Sequence, residues 1–381
     1  MAEMKHRERA LAALRHEQTD RVPIDIGGIQ QTSIHIKPYA GLIELLKLED
    51  EAGDLSAFNA DISRGMAEPT EAVLKALGID FRGLRLSAPE LTPRTWLDKD
   101  NYSDEWGVIW TRSMGSYFIA KKGPFEGEEP SIQDLEKHRW PVPDDPGRVR
   151  DLRERAMKLR TDTDAAIVLN LPFCILREHQ RMRGFADAMI DLMINPKLSE
   201  YIMEKSLEIS AGIAVAALKE VGDIIDVVCI PEDMGTQQQL FMRPDMYREL
   251  IKPYHRRMIE AVKSNTKAVV AVHSDGAISE IIGDFIDIGV EALNPIQVSA
   301  AGLGDTKKLK REFGKHLTFW GAVDTHHVLP FGTPEDVAKE VRLRIDELGS
   351  DGGYVLASVH TINSEVPAEN VAAMLETALN Y

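Results

Sequence analysis

The sequence has few cysteines and no long apolar run, and both absences exclude classes of protein. Cys174 and Cys229 are the only cysteines in 381 residues, which excludes a disulfide framework and any metal site with three or four thiolates. Both lie in apolar stretches, so we expect buried thiols of low reactivity. No apolar run approaches the roughly 18 residues that cross a bilayer, and the N-terminal segment lacks the apolar core of a signal peptide. We therefore expect a cytoplasmic protein without a membrane span.

Basic residues are also scarce. Lys and Arg number 45 and Asp and Glu number 61, which gives a formal net charge of −16. Non-specific binding of nucleic acid or anionic membranes needs a basic surface, so we expect neither partner. Nucleotide fingerprints are missing too, because no G-x-G-x-x-G follows the first expected strand and no G-x-x-x-x-G-K-S/T occurs. The remaining composition, 44% apolar and 28% charged, is typical of a globular protein.

The sequence does contain a repeated alternation of buried strands and helices. Apolar runs predict strands at residues 22–26, 80–84, 165–171, 224–230, 268–272, 291–294, 317–321 and 354–358. Between most of them lie helical patterns, the clearest at residues 196–221, 244–264, 277–288, 306–313 and 334–348. Such alternation favours parallel strands joined by right-handed crossovers, and eight units predict an α/β fold of the TIM-type (β/α)8 barrel class. An open doubly wound sheet is the alternative.

The second and third predicted strands are unusually far apart. The segment at about 85–163 is longer than a βα unit needs, which indicates an insertion. Within it, residues 107–123 alternate polar and apolar side chains and predict a hairpin. We expect a single barrel domain over residues 1–381, with an inserted hairpin and loop region between strands two and three.

Polar residues collect where functional groups of a parallel barrel lie, after the C-terminal ends of the strands. Adjacent residues point to opposite sides of a strand, so we expect only one of Glu232 and Asp233 to face the barrel mouth. The alternative is that these acids serve as a helix N-cap and loop scaffold. Asp80, at the start of the second strand, would face the mouth or cap a turn. The candidate site residues at the ends of the last five strands are Glu232, Asp233, His273, Asp275, Asn294, Gln297, Trp320, Asp324 and His360.

Three of these residues form a candidate metal site. His273 and Asp275 are two positions apart, so both side chains would share one side of the chain, and His360 follows the eighth strand. Two imidazoles and one carboxylate with an open fourth position form the ligand set of a catalytic zinc, and they also suit non-haem iron(II). The alternative is that the histidines only cap barrel loops.

Four stretches resemble the uroporphyrinogen decarboxylase superfamily, which implies a TIM-type barrel. They are residues 7–25 (RERALAALRHEQTDRVPID), 184–203 (GFADAMIDLMINPKLSEYIM), 232–257 (EDMGTQQQLFMRPDMYRELIKPYHRR) and 273–375 (from HSDGAISE to VAAML). True decarboxylases of this superfamily carry R-Q-A-G-R after the first strand to hold substrate propionates. Here that place reads DIGGIQQTSIHIKPY and has no arginine. The resemblance therefore favours the cobalamin-dependent methyltransferase branch.

In that branch, proteins of the methylcobamide:coenzyme M type hold zinc with an H-x-C pair after one strand and a Cys near the C-terminal strand. The corresponding positions in this sequence are His273, Asp275 and His360. The exchange of two thiolates for Asp and His makes a harder site, suited to activating an ether oxygen. The resemblance thus implies a zinc-dependent methyltransferase that moves methyl from a small donor, such as a methoxylated aromatic, to a corrinoid (cobalamin) protein. It also implies a possible homodimer. A metal-dependent decarboxylase or lyase, and a non-catalytic barrel that binds a corrinoid protein or small ligand, remain alternatives.

Overall fold

The computed structural model describes residues 3–52, 65–113, 118–172 and 174–381. Its strands are β1 Phe81–Arg85, β2 Thr95–Trp96, β3 Asn101–Ser103, β4 Ile109–Arg112, β5 Phe118–Lys122, β6 Ala166–Asn170, β7 Val227–Pro231, β8 Val269–His273, β9 Ala292–Ile296, β10 Thr318–Val323 and β11 Tyr354–Ser358. Its α-helices are α1 His6–Leu14, α2 Ile36–Leu46, α3 Glu49–Ala52, α4 Glu71–Ala76, α5 Ile132–Lys137, α6 Pro146–Val149, α7 Leu152–Asp162, α8 Leu176–Arg183, α9 Phe185–Ile194, α10 Pro196–Val221, α11 Pro244–Met246, α12 Lys252–Lys263, α13 Ile282–Asp287, α14 Thr306–Phe313, α15 Val328–Phe331, α16 Pro334–Leu348 and α17 Ala368–Asn380.

A curled parallel sheet forms the centre of the molecule. Among the described residues it has seven strands, in the order β1-β6-β7-β8-β9-β10-β11, and every neighbouring pair is parallel. These strands confirm seven of the eight that the sequence predicts, and the predicted helices at 196–221, 306–313 and 334–348 are confirmed as α10, α14 and α16. The architecture is of the TIM type.

The first predicted strand is an isolated bridge instead, although it occupies the eighth place. Ile24 pairs with Leu356 of β11, and the Asp80 N–H donates to the Ile24 carbonyl at 2.9 Å, so the segment contacts both edges of the sheet. Pro23 has no N–H to add to the ladder, and Gly27 (φ 80°) turns the chain away just beyond. A short extended segment therefore joins β11 to the start of β1.

Alternate residues of the strands build two layers of core. In β6, Ala166 and Val168 join a cluster inside the barrel, whereas Ile167 and Leu169 join the larger cluster that includes the surrounding helices. This is the period of two that a strand buried on both faces requires. Trp320 belongs to the interior cluster, and the barrel interior is filled with side chains.

The insertion folds as a second sheet with the order β2-β3-β4-β5, all antiparallel. The β4–β5 pair confirms the predicted hairpin, whose tip at 114–117 lies outside the described residues. The two- and three-residue strands β2 and β3 are too short to show periodicity in the sequence. One aromatic group in this sheet comprises Trp96, Tyr102 and Phe118, whose ring centroids lie 5.0 to 5.8 Å apart.

Asp80 lies at the amino end of β1, so it is at the opposite end of the barrel from the strand C-termini and does not face the mouth. It accepts hydrogen bonds from His6 Nδ1 (2.8 Å), Arg9 Nη1 (2.7 Å), Arg21 Nη1 (2.8 Å) and the Ile24 N–H (2.8 Å). Burial alone would raise the pKa of Asp80, but the His6 hydrogen bond and the two arginines outweigh it and lower that pKa. The carboxylate ties α1 to the barrel floor.

Two further features agree with the composition. No helix in the described ranges, including the 26-residue α10, combines the length and apolarity needed to span a bilayer. Cys174 and Cys229 are both buried, and burial raises the pKa of each thiol. The expectation of buried thiols is confirmed.

We expect Asp80→Asn to lower the free energy of unfolding by about 3–5 kcal/mol, because it removes the buried negative charge that His6, Arg9 and Arg21 share. Arg9 keeps only its second partner, Asp20. The native pKa of Asp80 is lowered, so its contribution is present above the unfolded-state pKa and is lost as pH falls through the native value. Urea unfolding followed by circular dichroism, at neutral and stepwise lower pH, measures both effects. Asp162→Asn, which removes an exposed partner of Lys158, is the control. Equal stability of the two variants would contradict the prediction.

Candidate metal centre

The candidate ligands come from the ends of two barrel strands. His273 is the last residue of β8, Asp275 lies two residues beyond it, and His360 lies two residues beyond β11. Parallel strands bring these ends to the same side of the barrel. One ligand atom from each of the three residues lies within 4.8 Å of the others. The structure thus brings together the trio that the sequence singles out.

The carboxylate lies between the two imidazoles. Asp275 Oδ2 is 3.6 Å from His273 Nε2 and 3.8 Å from His360 Nε2. The ring centroids of His273 and His360 are 5.7 Å apart. The His273 side chain is buried, whereas Asp275 and His360 are partly exposed. The cluster is therefore held by the barrel on one side and open to the mouth on the other.

A buried amide orients His273. Its Nδ1 lies 2.7 Å from the Asn294 side-chain oxygen, and the Asn294 amide nitrogen donates to the Trp320 carbonyl at 3.4 Å. Because an amide oxygen only accepts, Nδ1 carries a proton, and Nε2 is the nitrogen that faces Asp275. Asn294, which the sequence nominates as a site residue, therefore fixes the tautomer that a metal-ligating histidine needs.

The donor set fits a divalent metal. Asp275 Oδ1 is buried and has no hydrogen-bond partner among the described residues, which leaves one carboxylate oxygen uncompensated. Burial alone would raise the pKa of Asp275, but the charges of His273, His360 and Arg177 hold it at about 2. Burial also acts to lower the pKa of His273, and Asp275 outweighs it, so that pKa is raised. An ionised carboxylate and two imidazole nitrogens are ligands that zinc and iron(II) share.

The side chains of Glu232 and Asp233 point in different directions, as expected for adjacent residues at the end of a strand. Asp233 lines a cavity beside the trio, and its Oδ1 is 3.9 Å from His273 Nε2. Glu232 turns away and accepts hydrogen bonds from the N–H groups of Ile175, Leu176 and Arg177 at 2.8, 3.3 and 3.0 Å. It caps the amino end of α8, where a negative charge is favourable, and is not available as a fourth ligand.

The other nominated residues have supporting or separate places. Gln297 accepts a hydrogen bond from the Gly276 N–H at 2.6 Å and so holds the loop after Asp275. Trp320 was expected at a strand end, but β10 continues to Val323, so its indole lies buried in the barrel and donates to Asp25 at 3.0 Å. Asp324 accepts from the N–H groups of the next loop. Neither Trp320 nor Asp324 lines the cavity.

A cavity of about 640 Å³ opens beside the trio. The inserted sheet supplies one wall with Trp110 and Phe118, and α8 supplies Arg177 and Arg181. Sequence reasoning missed these four residues. The i, i+4 spacing of the arginines on a helix was a usable signal, but nothing local shows that this helix or the hairpin covers the mouth.

A second cavity also borders the trio. Its volume is about 400 Å³, and it shares Asp275 and His360 with the first cavity. Its other walls include Thr236, His326 and Phe331, and Phe331 is 79% exposed. The metal-ligand candidates are thus accessible from two openings.

We expect Asn294→Ala to weaken Zn²⁺ affinity by about 10–100-fold, because His273 loses the acceptor that fixes its Nδ1 proton. Asn294→Asp keeps an acceptor at that place and should retain most of the affinity. Equilibrium dialysis with zinc, with circular dichroism to check folding, measures the difference. Unchanged affinity in Asn294→Ala would show that the amide does not support the site.

Comparison with known proteins gives the family. Residues 114–381 match the family profile described as Uroporphyrinogen decarboxylase (URO-D). The uroporphyrinogen decarboxylase of Chlorobaculum tepidum is 24% identical over 187 residues, 48% of this chain and 48% of the relative. That of Chlorobium limicola is 24% identical over 200 residues, 51% of this chain and 52% of the relative. The chain thus matches about half the length of these curated relatives.

A solved structure matches over nearly the whole chain. A methyltransferase from Methanosarcina mazei superposes with a TM-score of 0.64 and 19% identity, and covers 99% of each chain. This likeness supports the fold, including the insertion, from one end of the sequence to the other. With the profile covering well over half of its residues, the chain belongs to the uroporphyrinogen decarboxylase (URO-D) family.

Proposed function

We propose that the protein is a methyltransferase that moves a methyl group from a methyl ether, such as a methoxylated aromatic, to the cobalt of a corrinoid protein. In this proposal His273, Asp275 and His360 hold zinc. The observation that carries it is the position of this two-nitrogen, one-oxygen ligand set on the wall of a cavity that has an aromatic face. The full-length fold likeness to a methyltransferase gives further support.

The ligand set suits an oxygen-bearing substrate. Zinc bound there would supply a Lewis acid for the ether oxygen, which leaves with the electron pair of the broken C–O bond. Asp275 is the only anion among the three ligands, so the set leaves more positive charge on a metal than a thiolate site does. Asn294 holds His273 in its ligating tautomer, and Gln297 holds the loop that carries Asp275.

Contacts within the insertion hold the aromatic wall in place. Trp110 Nε1 donates to Asp104 at 2.7 Å, which fixes the plane of the indole. Tyr102 stacks on Trp110 with an interplanar angle of 12°, and Phe118 contacts Tyr102. A flat, fixed apolar surface favours a planar ring over a flexible alkyl chain, because little side-chain entropy is lost on binding. This supports an aromatic methyl donor.

The methyl acceptor must reach the candidate metal site by a route that the methyl donor does not occupy. A corrinoid is a large planar group carried on another protein, and cobalt(I) must reach the methyl carbon from the side opposite the oxygen. The second opening at Asp275 and His360, with Thr236 and exposed Phe331 on its wall, supports docking of that partner over the mouth. Such a partner would supply a cobalt(I) nucleophile whose electron pair forms the new bond to the methyl carbon, and the ether oxygen, released with the electron pair of the broken C–O bond, would take a proton.

We expect about one zinc per chain in the purified protein, measured by elemental analysis. His360→Ala should lose it, because two protein ligands bind zinc far less tightly than three. His327→Ala removes an exposed histidine of a nearby loop and should retain the metal. Iron at the same stoichiometry would replace zinc in the proposal. A protein without metal after purification in the absence of chelators would contradict it.

We expect methyl transfer when the protein is mixed with a methoxylated aromatic and a partner corrinoid protein reduced to cobalt(I). The absorbance change from cobalt(I) to methylcobalamin measures it. His360→Ala should reduce the rate by orders of magnitude, and His327→Ala should not. Absence of transfer from every methyl ether, alcohol and amine tested, with the metal in place, would overturn the proposed function.

A further inference from the structure

The cavity contains an arginine, Arg177, whose guanidinium has no hydrogen-bond partner among the described residues. Arg177 lines the cavity, and its side chain is 28% exposed. Its nearest acid is Asp233, whose Oδ2 is 3.6 Å from Nη1, which is beyond good hydrogen-bond distance. Within the described part of the chain the Arg177 guanidinium donates no hydrogen bond. Such a half-buried group, with five N–H donors, is costly unless something in the cavity accepts from it.

The neighbouring arginine differs, because it already has partners. Arg181 Nη1 donates to Glu178 Oε1 at 2.6 Å, and its guanidinium lies 5.3 Å from the centroid of the Trp110 ring. Arg181 therefore belongs to the wall of the cavity, and Arg177 is the arginine left to bind a ligand.

The amino end of α8 cannot take the anion instead. The Glu232 carboxylate already accepts from the N–H groups of Ile175, Leu176 and Arg177. The cavity also contains the carboxylates of Asp233 and Glu365, which disfavour a multiply charged ligand such as a phosphate. A single carboxylate matches the flat, forked guanidinium and the modest positive charge available.

Arg177 is also close to the candidate metal ligands. Asp233 contacts both groups, with Oδ2 next to Arg177 and Oδ1 3.9 Å from His273 Nε2. The Asp275 N–H donates to Asp233 Oδ1 at 3.1 Å and holds that carboxylate in place. Because Arg177 and His273 both lie within 4 Å of the Asp233 carboxylate, one substituted ring is long enough to reach both.

We infer that Arg177 is a specificity-determining residue that binds a carboxylate of the methyl donor, so that the donor is a methoxylated aromatic acid. This inference rests on the proposed function for the methyl group, but the carboxylate site stands on its own contacts. Arg177 supplies from α8, and for one carboxylate only, the arginine that is missing from DIGGIQQTSIHIKPY.

The test compares 3-methoxybenzoate with its neutral isostere 3-methoxybenzamide, by isothermal titration calorimetry on the protein as purified. We expect the wild type to bind the acid at least about tenfold more tightly, as one charge-assisted pair allows. Arg177→Gln should abolish this preference and leave metal content and folding unchanged. Arg257→Gln, which removes an exposed arginine paired with Glu204, is the matched control and should keep the preference.

Two results would overturn the inference. One is equal binding of the acid and the amide by the wild type. The other is a preference for the acid that survives in Arg177→Gln, which would assign the carboxylate to the metal instead. Methyl-transfer kinetics give an independent measurement, in which Arg177→Gln should raise KM for the acid and leave the amide unaffected.

Failure of the proposed function gives a different pattern. If the acid is preferred through Arg177 but no methyl reaches the corrinoid protein, the carboxylate site is supported and the methyltransferase is not. If methyl transfer occurs equally well from neutral and acidic ethers, the methyltransferase is supported and the role of Arg177 is wrong.

Discussion

The candidate site depends on the parallel register of β8 on β9, which sets His273 opposite Asn294. That register makes the side-chain hydrogen bond possible, and the hydrogen bond determines which imidazole nitrogen faces Asp275. On its other side His273 pairs with Pro231, the residue just before Glu232 and Asp233. A slip of one residue would turn His273 toward the helices, because side chains alternate along a strand. Backbone pairing in the barrel thus fixes the chemistry at its mouth.

Most of the barrel strands and the candidate metal ligands could be predicted from the sequence, and the features that could not be predicted have physical reasons. Seven strands were predictable because strands buried on both faces are short continuous apolar runs. The segment before Gly27 is also apolar, but Pro23 lacks the N–H that a full ladder needs. The trio was predictable because parallel strand ends converge whatever their loops do. Which of Glu232 and Asp233 faces the mouth was not, since that depends on where α8 begins.

The cavity walls were beyond sequence reasoning for another reason. Trp110 and Arg177 reach the mouth only because the inserted sheet and α8 pack over it, and no local pattern encodes that packing. Trp320 shows the converse error, since a large aromatic near a strand end suggested a pocket wall. The strand continues beyond it, and the indole fills the barrel and bonds to buried Asp25. The residue type indicates what a side chain can do, and its tertiary position determines whether that side chain reaches the cavity.

The two halves of the cavity come from separate parts of the chain. The barrel loops carry the trio, and the antiparallel sheet between β1 and β6 carries the ring-stacking wall. Trp110 is hydrogen-bonded to Asp104 and stacks on Tyr102, both within the insertion, and its ring also lies beside Arg181 of α8. A change within the insertion can therefore reshape the cavity wall while the candidate metal ligands, which the parallel strands hold, keep their places.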